Sequence, residues 1–234
     1  MRPPAHIGIV ACSAEGASLC YRTICSEGYA VLAPHAHPEI SLHSLSLADY
    51  VKCLDAGDLQ GVADLMLTSA NKLAAAGAKL LICPDNTIHQ AFSLVRPESP
   101  LPWLHIAEVV ASEAAALAYR RVGLLGTNWL MSSNVYPEKL RAEGIECIRP
   151  VDSQCDELGK LIMDELVRGI FHDSTKKRFQ QIIQDLRDDG CEAVILGCTE
   201  IPLIINAGNS PLPTLDSTQL LARAALQAAL EHSQ

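Results

Sequence analysis

The chain repeats itself. GAKLLICPDNT at 77–87 reads like GCEAVILGCTE at 190–200, and HIGIVACS at 6–13 reads like RVGLLGTN at 121–128. In the first pair a glycine precedes an apolar strand, and a chemically able side chain stands eight positions after it: Asp85 in one copy, Cys198 in the other. The spacings agree. Gly123 follows Gly8 by 115 residues, Gly190 follows Gly77 by 113, and Cys198 follows Asp85 by 113. A duplication of this kind predicts two similar α/β halves facing each other. Facing halves bring Asp85 and Cys198 to opposite sides of one cleft. The uninterrupted apolar run Ala193–Leu196 suits a parallel strand covered on both faces. In such sheets ligands bind beyond the carboxyl ends of the strands, which is where Cys198 stands.

A chain of 234 residues holds one large domain or two small ones. Its 49% apolar and 19% charged content fits a compact, enzyme-like protein rather than a disordered one. A net charge of −9 without a basic cluster argues against nucleic acid or an anionic membrane as partner. Apolar runs are broken within about ten residues, so no membrane-spanning helix is expected. MRPPAH leads directly into a strand without a signal-peptide core. Nine cysteines, with neither a C-x-x-C pair nor a metal-ligand spacing, are expected to be reduced thiols in a cytoplasmic protein.

Strands are expected at 7–11, 39–47, 80–83, around 100–106, 122–127, 145–149, 193–196 and around 210–216. Helices are expected at 17–28, 59–76, 109–119, 136–143, 158–168, 175–189 and 220–232. The turn CSAEG at 12–16 offers backbone N–H groups, near Cys12 and Ser13, to a carboxylate or phosphate. It is not a G-x-G-x-x-G dinucleotide turn. His35 and His37 read as loop residues, His105 as a hydrogen-bonded strand-end histidine. Asp85 and Asn86 suit turn or capping roles as well as chemistry, and Asp216 is open in the same way.

Two ionisable groups across a cleft suit proton transfer at a carbon acid: a base on one face of the stereocentre and an acid on the other. A thiol's pKa of about 8.5 is readily lowered by local donors. Ser13, Asn86, Thr87, Thr127 and Thr199 are the small polar groups able to hold a substrate carboxylate and the enediolate that develops. The scheme requires no metal, no PLP lysine motif is visible, and no cofactor is expected.

GCTEIP at 197–202, DNTIH at 85–89, LGT at 125–127 and LHIA at 104–107 together resemble the aspartate/glutamate racemase family, over essentially the whole chain. The resemblance implies an α/β fold of two pseudo-symmetric three-layer domains with mostly parallel sheets and the active site in the cleft between them. It implies that the C-terminal helix returns to the first domain, giving 1–105 plus 210–234 and 106–209. Asp85 and Cys198 are then the catalytic pair, with Asn86, Thr87, Thr127, Thr199 and Glu200 around the substrate. The glycine-rich first turn of many members is replaced here by ACSAE at 11–15, whose Cys12 and Ser13 are expected at the substrate from the turn itself. Lys160, on a second-half helix, is the expected partner of a side-chain carboxylate. The substrate is a small molecule, an amino acid or small carboxylate, and a homodimer is expected.

The first catalytic position in this family is usually Cys, in some members Thr; here it is Asp85. That substitution has three readings. Asp85 is an acid/base whose pKa burial raises; or its charge selects a neutral or cationic amino acid; or Cys198 works as a single base. The function expected is cofactor-independent racemisation of amino acids. The alternatives are a single-cysteine isomerase, lyase or decarboxylase, or an inactive ligand-binding relative.

Overall fold

The computed structural model describes residues 3–231. The chain divides into two compact units, one formed by the chain up to Val109 and again from Thr218, the other by Val110–Ser217. Each is an α/β unit around a four-stranded, wholly parallel sheet.

The first sheet contains β1 (Ile7–Ala11), β2 (Ile40–Ser44), β3 (Leu80–Ile82) and β4 (Trp103–Leu104), in the order β2-β1-β3-β4. Helices cover both faces, because strand side chains alternate between them. Val10 and Leu81 pack with α2 (Leu47–Asp55), α3 (Leu59–Ala75) and α4 (Phe92–Glu98) through Tyr50, Met66, Leu73 and Val95. Ile7, Ile9 and Ile82 pack instead with α1 (Ala14–Val31), α5 (Ile106–Ala116) and α10 (Ser217–Glu231) through Ile24, Ile106, Leu221 and Leu226.

The second sheet contains β5 (Arg121–Leu125), β6 (Glu146–Ile148), β7 (Ala193–Leu196) and β8 (Thr214–Asp216), in the order β6-β5-β7-β8. Around it lie α6 (Asn128–Met131), α7 (Val135–Ala142), α8 (Asp152–Asp164) and α9 (Asp173–Asp188). One core is built by Val194 and Leu196 against Leu158, Ile162, Phe179, Ile182 and Leu186. No helix among the described residues is long and apolar enough to cross a membrane.

The repeat read from the sequence is a repeat of packing. Gly8 lies opposite Leu81 and Gly123 opposite Val194 at matching places in the two sheets. An added Cβ at Gly8 would stand 3.2 Å from Leu73 Cβ and 2.6 Å from Leu81 Cδ2; one at Gly123 would stand 2.8 Å from Leu186 Cδ1. Leu73 and Leu186 are the matching residues of α3 and α9, so each glycine is where a helix approaches the middle of a sheet. Gly77 and Gly190, at φ +99° and +88°, end those same helices in a conformation open to glycine. The copies slip by one residue after their first strands. Relative to the strand register, the hydroxyl capping α1 (Ser13) comes one residue later than the one capping α6 (Thr127).

Three short helices depart from the sequence reading. The expected strand 39–47 stops at Ser44, because the extended backbone of Ser46 opens α2, which buries Tyr50. The alternating run ISLHSLSL carries no mark of that break. Helix α4 contains Pro97, which reads as a breaker, in its last turn. Helix α6 is a single turn. Helix α5 begins three residues before the expected 109, and the last helix starts at Ser217 rather than 220. The expected end of that helix at His232 lies outside the described residues.

Candidate active site

In each sheet the two central strands lead to opposite sides, which is the switch point beyond whose carboxyl ends open parallel sheets bind ligands. Every expected catalytic residue follows one of these central strands.

In the first unit, Ser13 follows β1 and its Oγ accepts the Gly16 N–H at 3.2 Å, capping α1. Cys12, 5% exposed, belongs to the apolar cluster of Val10, Tyr50 and Cys83. After β3 the chain makes a tight turn into a 3-10 helix, Thr87–Ala91. From Leu80 to His89 every residue is buried except Asp85, which is partly exposed. Its Oδ1 accepts the Ile88 N–H at 3.2 Å, so the carboxylate also shapes the turn. Asn86 and Thr87 are buried beside it. Cys83 is fully buried, and burial followed by the charge of Asp85 pushes its thiol well above the ordinary range. It is a core thiol, as its place two residues before Asp85 suggests.

His89 carries no role in the sequence reading, yet both of its ring nitrogens are engaged in this turn. Its Nδ1 donates to the Asp85 carbonyl at 2.7 Å, and its Nε2 accepts the Ile106 N–H at 3.4 Å. Burial and then the nearby His105 lower its pKa to about 3. His105 Nδ1 accepts the Ala107 N–H at 3.2 Å, in the first turn of α5.

In the second unit, Thr127 Oγ1 accepts the Leu130 N–H at 3.3 Å. After β7, Gly197 N–H donates to the Leu125 carbonyl at 2.8 Å, and a Cβ there would stand 2.6 Å from that same oxygen. Cys198, 8% exposed, follows at once. Its Sγ donates to Glu200 Oε2 at 3.0 Å, and Thr199 Oγ1 donates to the same oxygen at 2.7 Å. Thr199 and Glu200 are both buried, and a 3-10 turn, Ile201–Leu203, closes the loop. Ile88 and Ile201 match across the repeat: one N–H meets the Asp85 side chain, the other the Cys198 carbonyl at 3.2 Å.

Thr127 and Lys160 line one cavity of about 320 Å³, with Asn128, Trp129, Gly159, Met163 and Asp164. Gly159 lets α8 lie against Asn128, whose Oδ1 would stand 2.2 Å from an added Cβ. A second cavity of about 310 Å³ shares Asn128 and Trp129 and reaches Arg149 and Cys155. Sequence reading did not single out Trp129, Gly159 or Met163. The glycine within a helical pattern was the available signal, since such a glycine marks a close approach.

The Asp/Glu/hydantoin racemase model matches residues 9–225. A candidate Asp/Glu racemase of Yersinia pestis has the same fold at a TM-score of 0.88, with 31% identity over 97% of this chain and 99% of that one. An aspartate racemase homologue of Pyrococcus horikoshii superposes at a TM-score of 0.83, with 28% identity over 98% of this chain and 100% of its own. The broad-specificity amino-acid racemase RacX of Bacillus subtilis is 24% identical over 170 residues, 71% of this chain and 72% of that protein. With the family model spanning both units, the chain belongs to the Asp/Glu/hydantoin racemase family.

Proposed function

We propose that the protein is a cofactor-independent amino-acid racemase, inverting Cα by 1,1-proton transfer between Asp85 and Cys198. The observation that carries this reading is their equivalence: each follows the matching central strand of a duplicated unit, in the loop that leads into a 3-10 turn. One group takes the α-proton as the other delivers a proton to the opposite face. The electron pair left on Cα passes into the substrate carboxylate as an enediolate, which buried groups such as Asn86, Thr87, Thr127 and the main chain of Thr199 stabilise. Ser13 and Cys12 complete the first-unit side of the substrate, and Lys160 meets a side-chain carboxylate.

Glu200 supports the thiol. Its carboxylate accepts the Cys198 proton directly, at 3.0 Å, and can take it when the thiolate is needed. Thr199 holds the receiving oxygen in place. The nine thiols fit a cytoplasmic protein, and the homodimer follows from the family resemblance.

The test is incubation with single L- and D-amino acids, after dialysis against chelator, followed by chiral chromatography. Appearance of the opposite enantiomer without added PLP is the expected result. If no amino acid is inverted, the reading fails. A second reading, a lyase or isomerase using Cys198 as its one base, draws on the carboxylate at 85, whose reference pKa of about 3.9 lies far from a thiol's. It gains if small unsaturated or dicarboxylic acids turn over and amino acids do not.

A further inference from the structure

His89 is 3% exposed and stands between two backbone groups of opposite character. The Asp85 carbonyl, 2.7 Å from Nδ1, can only accept a hydrogen bond; the Ile106 N–H, 3.4 Å from Nε2, can only donate one. Between them they require a proton on Nδ1 and a bare lone pair on Nε2. The ring plane is held as well. It stacks on Phe92, with centroids 5.6 Å apart and planes 14° apart, and meets the His105 ring edge-on at 4.6 Å.

We infer that His89, as a neutral imidazole in the Nδ1–H tautomer, is the positioning residue for Asp85, tying its peptide to the first turn of α5. The inference rests on the reading of Asp85 as the working carboxylate. The side chain of Asp85 is held by the Ile88 N–H and its main chain by His89, so both ends of the residue are fixed. With both ring nitrogens engaged by main-chain groups, His89 acts on Asp85 through its peptide. The charged groups that act on it are His105 and Glu108, and the Asp85 main-chain carbonyl accepts its Nδ1–H. His105 opposes its protonation, the Asp85 carbonyl and then Glu108 favour it, and burial outweighs them. The imidazole therefore stays neutral across the working pH range.

The experiment is NMR of the full chain labelled uniformly with carbon-13 and nitrogen-15, from pH 8 to pH 5, with the histidine ring nitrogens, the Asp85 carbonyl carbon and the Ile106 amide observed in the same samples. The expected result is one histidine fixed as the neutral Nδ1–H tautomer with no titration above pH 5. A His89 that titrates near 6.5, or that carries its proton on Nε2, overturns the proposal. Two variants follow. In His89→Phe the Asp85 carbonyl-carbon resonance should shift and Ile106 amide exchange should speed up about tenfold or more. In His89→Asn, whose amide N–H reaches the same carbonyl, the Asp85 resonance should return toward its native position. An Asp85 resonance unmoved in His89→Phe also overturns it.

If the racemase reading holds, kcat falls about ten- to a hundredfold in His89→Phe with KM within twofold, and His89→Asn recovers most of the loss. Equal losses in both variants contradict the positioning role. If the wild-type protein inverts no amino acid, the racemase reading fails, and the NMR results still decide the place of His89.

Discussion

Cys198 Sγ lies 3.0 Å from Glu200 Oε2, and that oxygen also accepts Thr199 Oγ1 at 2.7 Å. The thiol and the carboxylate are both buried, so the contact is shielded from water. Glu200→Gln keeps an oxygen for the hydrogen bond and removes the ability to take the proton. We expect kcat to fall about a hundredfold with KM changed by less than threefold. Steady-state kinetics with the best substrate of the panel measures both. Unchanged kcat would make Glu200 a structural partner of the thiol.

Gly197 precedes this thiol and has the Leu125 carbonyl oxygen where its Cβ would be, at 2.6 Å. That oxygen belongs to main chain at the end of the β5–β7 ladder and accepts the Gly197 N–H itself, so it gives way less readily than a side-chain tip. Gly197→Ala should therefore destabilise by about 1–3 kcal/mol. Gly123→Ala meets the tip of Leu186, a side chain able to shift, and should cost less. Urea unfolding midpoints decide the order, and the reverse order would contradict the account of the repeat.

His89 sets a pH dependence of stability. Its pKa is about 3 in the folded chain and about 6.5 when unfolded, so below pH 6.5 the unfolded state binds the extra proton. This linkage leaves stability intact above pH 6.5. Stability then declines as pH falls toward 3, by up to about 1.4 kcal/mol per pH unit. Urea midpoints at pH 7, 5.5 and 4.5 should fall more steeply for the wild type than for His89→Asn. Parallel declines would assign the acid lability elsewhere.

Ala118 has φ +60° where α5 ends, with its N–H on the Ala115 carbonyl at 2.9 Å and the Tyr119 N–H on Ala114 at 3.0 Å. A left-handed alanine costs about 1–2 kcal/mol. Glycine removes that cost and returns part of it as unfolded-chain entropy. Ala118→Gly should raise stability by about 0.5–1 kcal/mol, read as a higher thermal midpoint. A lower midpoint would contradict it.

The duplicated fold was legible because its marks are imposed by packing. Gly8 and Gly123 are small where Leu73 and Leu186 press on a sheet, and Gly77 and Gly190 end the same two helices. Asp85 and Cys198 inherit their places from that repeat. Helices α2, α4 and α6 were not legible. One continues an alternating pattern, one contains Pro97, and one is too short to show a period. The shared cavity of Thr127 and Lys160 depends on how α6 meets α8 at Gly159; the glycine marks a close approach, but the sequence does not say which element approaches it. His89 stood in a recognised motif, but its role is set by the backbone of Ile106, seventeen residues away.

The most direct measurement is NMR-followed exchange of the α-proton in D₂O, across L- and D-amino acids, for wild type, Cys198→Ala and Asp85→Asn. The account predicts exchange accompanied by inversion in the wild type and its loss in both variants. Exchange with retention that survives Asp85→Asn, or no exchange with any amino acid, would contradict the two-base racemase.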